Sequence, residues 1–377
     1  MNKSPASPTV RAPAALLAAG ALLALAPPAA AQSTLTLYGI ADAGLSLDRT
    51  GVAGTGTALR VNSSYMSTSR IGVTGTEDLG GGNRAVFTLE MGVEVDTGAF
   101  ATTSTDLAGF NRRAIVGVQT SFGTIVLGRD HTPLYQALQA LDNMGFGLYG
   151  SLKNSPRLAD GSNQFFRADN AVFYRSPELA GGLTLRALYS AGGEGFGGPG
   201  SAPRASGRMV AFGAEYEAGG LTAALAWQAR TVANAASTGT ADRRDLVIGA
   251  RYDFGAFTLG GGYERVDPPG SGNVGAQAWL GGTVRAGRGT VLAQAIRTRL
   301  PESAVAGVEP RASTFALAYT WPFSRRTTGY VSYGYVANNA AADLGLYASD
   351  NDVSPGSGAA ARGADPRGLA IGLRHRF

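Results

Sequence analysis

The chain of 377 residues contains no cysteine and only two histidines, His131 and His375. Without cysteine there is no disulfide framework, no thiol nucleophile and no thiolate metal site, and two isolated histidines do not make a zinc spacing. Charged residues make up only 16% of the chain, and the small positive excess is dispersed, so a nucleic-acid surface has little support. There is no G-x-S-x-G elbow, no phosphate-binding loop ending in Gly-Lys, and no strand, G-x-G-x-x-G, helix unit. Asp130-His131 sits among serines, but at a strand-to-loop junction, and reads as a polar junction and not as part of a hydrolytic triad. The expectation is a protein that is no enzyme and that carries no cofactor and no metal. After residue 31 no stretch reaches the roughly 20 apolar residues that a spanning helix needs.

What is present begins with an export signal. Lys3 and Arg11 form a basic start, Ala14 to Ala26 an apolar core, Pro27-Pro28 a break and Ala29-Ala30-Ala31 a small-residue cleavage site. Residues 1–31 are therefore expected to be a cleaved signal peptide, and removing Lys3 and Arg11 takes the formal charge from +5 to +3. Glycine is abundant at 55 residues and mean hydropathy is +0.01, yet the chain is too apolar and too rich in aromatics for disorder. An exported chain without spanning helices can still cross a membrane as a closed barrel, which leaves no backbone group unsatisfied in lipid.

Alternating segments separated by turn signals give 16 candidate strands between Thr36 and Phe377. The second is expected over Ser63 to Gly75, the fourth over Phe110 to Thr120 and the last over Gly368 to Phe377. Tight turns such as Ser121-Phe122-Gly123 and Ala218-Gly219-Gly220 take turns with longer polar loops, the asymmetry of an outer-membrane barrel with short periplasmic turns and long external loops. Leu221, Ala223, Leu225 and Trp227 fall on one face of their strand and Thr222, Ala224, Ala226 and Gln228 on the other. Tyr189, Trp227, Tyr263 and Tyr319 lie near strand ends, where they would form aromatic girdles or, equally, fill an ordinary core. The spacing is uniform, so residues 32–377 form one domain, with the segment Ala337 to Arg367 a long, mobile loop.

Residues Asp130 to Arg167 break the alternation and read as one long loop. A structureless connection of this length marks a functional segment, and between barrel strands it would fold into the lumen and narrow it. Arg70, Arg112 and Arg167 on nearby strands would face it. Guanidiniums stay ionised, and a cluster of one sign in a narrow, low-dielectric passage concentrates counter-ions, as in anion-favouring pores. The alternatives are solvation or pairing with Glu90, Glu94 or Asp142. Whether Arg112 or Arg113 turns inward depends on register, since a one-residue slip exchanges them. Arg204, Arg208, Arg243 and Arg244 near loops would either meet lipopolysaccharide phosphates or be solvated charge.

Several motifs together resemble the general diffusion porins of β-proteobacteria. They are Leu37-Tyr38-Gly39 with Asp42-Ala43-Gly44, Ser69-Arg70-Ile71-Gly72, Gly75-Thr76-Glu77-Asp78-Leu79-Gly80-Gly81-Gly82, Phe110-Asn111-Arg112-Arg113-Ala114, Leu127-Gly128-Arg129, Asp169-Asn170 with Tyr174-Arg175-Ser176-Pro177, and Gly372-Leu373-Arg374-His375-Arg376-Phe377. The resemblance implies an all-β, 16-stranded antiparallel transmembrane β-barrel in the outer membrane, assembled as a homotrimer, with the third external loop folded into the lumen. It implies that Arg70, Arg112 and Arg167 are constriction arginines, that Arg129 and Asp130 form the base of the third loop, and that the terminal Phe377 is the signal read by the barrel assembly machinery. The Pro-Glu-Phe-Gly of enterobacterial porins is replaced by Asn143-Met144-Gly145-Phe146-Gly147, so only Asp142 is expected as the carboxylate opposite the arginines. The expected function is passive diffusion of small hydrophilic solutes and ions with a preference for anions. The alternatives are a substrate-specific porin, an outer-membrane barrel enzyme with a His/Ser pair, and a plugged structural or adhesive barrel.

Overall fold

The computed structural model describes residues 33–101, 109–154, 166–192, 207–233, 240–269 and 273–377; the expected signal peptide, residues 1–31, lies outside them. The strands are β1 (Thr34–Arg49), β2 (Ala58–Ser63), β3 (Arg70–Gly80), β4 (Asn83–Gly92), β5 (Arg113–Thr120) and β6 (Gly123–His131), followed by one helix, α1 (Pro133–Leu141). Next come β7 (Arg167–Arg175), β8 (Leu183–Ser190), β9 (Met209–Ala218), β10 (Leu221–Ala233), β11 (Thr240–Asp253), β12 (Phe257–Asp267) and β13 (Gly275–Ala286). The chain ends with β14 (Gly289–Arg299), β15 (Arg311–Pro322), β16 (Thr327–Asn338), the short pair β17 (Leu346–Ala348) and β18 (Asn351–Val353), and β19 (Arg367–Arg376). No described helix is long and apolar enough to cross a membrane.

Consecutive strands pair antiparallel, and β1 closes the ring by pairing with β19 over Ile40↔Arg376 to Arg49↔Arg367. The barrel has 16 strands because β2 and β3 share one position. β1 pairs first with β3, over Thr34↔Thr76 to Ile40↔Arg70, and then with β2, over Ala43↔Ser63 to Asp48↔Ala58. The expected second strand, Ser63 to Gly75, is thus interrupted: Ser64 to Ser69 leave the sheet. The cause is Asp42, whose carboxylate accepts hydrogen bonds from the backbone N–H of Tyr65, Met66 and Ser67 at 3.1, 3.1 and 2.8 Å and from the Tyr330 hydroxyl at 2.8 Å. Those donors are the ones a continuing ladder would have used.

The faces alternate as a membrane barrel requires. Leu45, Leu47, Val116, Ile125, Leu225, Ile248, Leu280, Leu317 and Ile371 are exposed on the outside, while their strand neighbours Ser46, Asp48, Ile115, Ala224, Val247 and Ala370 are buried within the lumen. Tyr189, Trp227 and Tyr263 project outward near the external ends, and Tyr319 outward near the periplasmic end, beside Trp321. These are girdle positions and not core.

The third external loop is not structureless. Thr132 caps α1 by accepting from the Tyr135 N–H at 3.3 Å, and Pro133 occupies the first turn, where a missing N–H costs nothing. Leu134, Leu138 and Leu141 fall on one helical face and are buried against Ala224, Ala226, Val247, Trp279 and Ile296 from the inner wall of β10 to β14. The loop therefore lies in the lumen because its apolar stripe meets an apolar patch of the wall. The Ala337 to Arg367 loop is also packed inward: Leu344, Leu346 and Val353 are buried with the loop-three residues Met144, Leu148 and Tyr149.

Candidate channel constriction

Across the lumen from α1 the strands β3, β4 and β5 bring cations together. Glu90 on β4 is buried, and its Oε1 accepts from Arg112 Nε at 2.8 Å while lying 3.7 Å from a terminal nitrogen of Arg70; its other oxygen accepts from the Tyr38 hydroxyl at 2.9 Å. Arg70 also donates from Nε to the Thr68 carbonyl at 2.9 Å, where the chain turns in. Arg167, the first residue of β7, donates from Nε to the Arg112 carbonyl at 3.0 Å and places a terminal nitrogen 3.1 Å from His131 Nε2. The three arginines thus form one connected cluster around a single carboxylate. His131 stacks on Tyr135 of α1 with ring centroids 4.0 Å apart, tying the loop to the basic wall.

Two further charges join from sequence-distant loops. Lys153, in the 3₁₀ turn Leu152–Asn154, lies 3.5 Å from an Asp350 oxygen and 3.4 Å from the hydroxyls of Thr68 and Ser349. Burial pushes the Asp350 carboxyl up, but Lys153 first and then Arg112 outweigh it and hold it below the usual carboxylate range. Four cations (Arg70, Arg112, Arg167, Lys153) therefore face two carboxylates (Glu90, Asp350). Among the described residues no group of histidine and carboxylate side chains is placed to hold a metal ion.

Arg112 and Arg113 are both on the lumen side. The alternation argument treated them as alternatives, but β5 begins at Arg113, and Arg112 lies before it in irregular backbone where alternation does not apply. Arg113 makes a two-pronged ion pair with Asp130, both distances 2.8 Å, which neutralises it. Arg129 points elsewhere, donating to the Asn111 carbonyl at 2.6 Å and to the Asp169 carboxylate. Between Gly128 and Asp130 the pairing with β7 slips, Gly128 facing Ala171 and Asp130 facing Ala168, and this β-bulge separates the two loop-base residues.

Asp142 is not at the constriction. Its carboxylate turns into the loop's own fold and accepts from the N–H groups of Met144, Phe146 and Leu152 at 2.9, 2.6 and 2.7 Å and from the Gln294 side-chain amide at 3.1 Å. Burial pushes the Asp142 carboxyl above the ordinary range, against the pull of these donors. The expectation that it opposes the arginines gives way to Glu90 and Asp350. Glu90 was visible only as one possible partner, and Asp350, nearly 200 residues from Lys153, had no sequence signal at all. Of the loop arginines, Arg243 also turns inward, donating to Asp245 at 2.9 Å, and Arg204 lies outside the described residues.

The profile of the Gram-negative porin family matches residues 15–341. The chain belongs to that family. It is 30% identical to "Outer membrane porin protein 32" of Delftia acidovorans, covering 96% of this chain and 99% of that one. It is 26% identical to an outer membrane porin protein of Bordetella pertussis, over 96% and 99%. Among solved structures it is similar to "Anion-selective porin from Comamonas acidovorans", with a TM-score of 0.77, 28% identity, and coverage of 92% of this chain and all of that one. The OmpF structure of Salmonella typhi shares the fold, with a TM-score of 0.65 at 16% identity. This porin is therefore an outer-membrane channel barrel, and its relatives are channels and not enzymes.

Proposed function

We propose that this porin is a general diffusion channel for small hydrophilic solutes and ions, and that it prefers anions because Arg70, Arg112 and Arg167 line its narrowest point. The observation that carries this reading is the shared Glu90: one carboxylate among three connected guanidiniums leaves the wall positive, and Lys153, balanced by Asp350, does not change that excess. In a passage walled by protein and lipid such an excess is weakly screened and concentrates anions. The Comamonas acidovorans relative named as anion-selective supports the same reading. Nothing in the arrangement demands tight binding, and a diffusing solute must leave as readily as it enters. The exposed apolar outer faces suit lipid and a homotrimer interface alike, and residues 1–31 suit a signal peptide removed on export.

Replacing Arg70 and Arg112 together by serine is expected to lower the anion-to-cation permeability ratio several-fold. The measurement is the reversal potential in a planar bilayer under a salt gradient; an unchanged potential in a folded, conducting variant contradicts the assignment.

A further inference from the structure

The lumen side of a water-filled barrel is expected to be polar, and on one part of this wall it is not. Pairing across neighbouring strands sets Val86, Gly117, Val126, Phe173 and Leu188 in one inward row from β4 to β8. The next inward row, one step nearer the periplasm, is Arg84, Gln119, Thr124, Arg175 and Arg186. An apolar band thus runs beside a basic one.

Helix α1 packs on the inner wall of β10 to β14, and beside it, over the two rows, lies a cavity of about 320 Å³. Pro133 and Gln136 of α1 bound it on one side and Ile115, Val126 and Phe173 on the other. Arg113, Asp130 and His131 line its upper end and Thr124 and Arg175 its lower end. His131 is the residue that touches Arg167, so the cavity begins directly beneath the arginine cluster and runs toward the periplasm. Its size is that of a small-molecule site.

The charges along it are unequally matched. Arg113 is neutralised by its two-pronged pair with Asp130. Arg186 gives one terminal nitrogen to Glu215 at 2.7 Å, and its Nε has no hydrogen-bond partner among the described residues. Arg175 stands directly opposite Arg186 and has no ion-pair partner among the described residues. Two guanidiniums are therefore set against one carboxylate, and like charges directly opposite on adjacent strands repel. An acceptor placed between them relieves that repulsion and takes up open donors. The apolar row lies two residues further along the strands, about 7 Å away, which is roughly the reach from a carboxylate across one aromatic ring. A doubly charged or fully hydrated anion would gain nothing from that apolar floor.

We propose that this cavity is a binding subsite for aromatic monocarboxylates crossing the channel, with the carboxylate between Arg175 and Arg186 and the ring over Val126 and Phe173. The inference names a solute class for the diffusion path proposed above and rests on that reading of the lumen.

The test uses purified, folded porin in a planar bilayer in potassium chloride, with benzoate, acetate or benzamide added on both sides, and reads the fall in ion current and its excess noise. Benzoate is expected to half-saturate the effect at least about tenfold below acetate, because its ring leaves water on the apolar row. Benzamide, of the same size without the charge, should give no saturating effect. Arg175→Gln is expected to raise the benzoate half-saturation several-fold. Val126→Thr, which keeps the shape and adds a hydroxyl to the floor, should raise it for benzoate and not for acetate. Equal half-saturation by benzoate and acetate overturns the proposal, as does equal saturation by benzamide. A benzoate half-saturation unmoved in either conducting variant, the pattern of a solute held at the arginine cluster instead, overturns it too. The reversal potential in potassium chloride alone reads the constriction separately. A cation-preferring channel that still saturates with benzoate keeps this subsite and contradicts the constriction, and an anion-preferring channel without benzoate saturation does the reverse.

Discussion

Single side chains set both the charge of the arginine cluster and the anchoring of the third loop beside it. Asp350 neutralises part of the basic wall through Lys153, and its carboxyl is depressed below the ordinary value. A depressed carboxyl contributes its ion pair fully above the unfolded pKa, about 4, and loses it as pH falls through the lower, folded value. Anion preference is therefore expected to stay flat from neutral pH down to about 4 and to rise only below it. Reversal potentials measured in steps from pH 7 to pH 3 check this, and Asp350→Asn should remove the rise. Tyr149 in the third loop is a different kind of anchor. Its hydroxyl donates to Asp48 on β1 at 2.7 Å, and burial together with that carboxylate keeps the phenol protonated far above its ordinary range. Asp48 retains Ser46 and Arg60 as partners, so Tyr149→Phe is expected to cost about 1–2 kcal/mol, seen as a lower urea midpoint for loop protection in hydrogen exchange. Arg70, Arg112 and Arg167 stood out in the sequence because they flank the one long break in the alternation and sit in the motifs that carry the family resemblance. Asp142 misled because it is the carboxylate that stands in the third loop where the resemblance places one opposite the arginines, and only the folded chain shows three backbone N–H groups claiming it.

At the scale of elements, the third loop is held on three sides. Its helix packs on the β10 to β14 wall, its tip packs on the inturned Ser64 to Ser69 segment, and its end is covered by the β17 to β18 hairpin. Gly147 is the tightest of these contacts, since a Cβ there would lie 1.8 Å from the Met66 carbonyl oxygen. Gly147→Ala is expected to push the loop off that buttress and change single-channel conductance without loss of the barrel, as far-ultraviolet circular dichroism would show. Asp142→Ala has a larger expected effect, because it leaves the N–H groups of Met144, Phe146 and Leu152 unsatisfied at about 1–3 kcal/mol each. Larger, noisier channel openings are the expected readout, with barrel melting little altered, since loops open below the global unfolding energy. The strands were legible because period-two alternation and glycine-rich turns are local. The helix was legible in principle: Thr132-Pro133 is a start signal, and Leu134, Leu138 and Leu141 have helical spacing. It was read as loop because nine residues between two strands carry little periodic signal. The break between β2 and β3 had none, since its cause, Asp42, lies on another strand.

For the whole molecule, closure decides stability in lipid. β1 and β19 join the ends of the sheet, and the terminal Phe377 continues that seam by exchanging backbone hydrogen bonds with Gly39 at 3.0 and 3.1 Å while its ring lies over the glycine. The described barrel sheet is thereby closed on itself, as a sheet in hydrocarbon requires. On the proposed reading the arginine cluster lines the narrowest stretch of the lumen, and permeation is then governed by its net field more than by any one contact. The central claim is tested most directly by the reversal potential of the wild-type porin in a planar bilayer separating a tenfold gradient of potassium chloride. A potential of the sign given by chloride moving faster than potassium is the predicted result. A potential of the opposite sign, from an open and stable channel, would contradict the electrostatic account of the constriction.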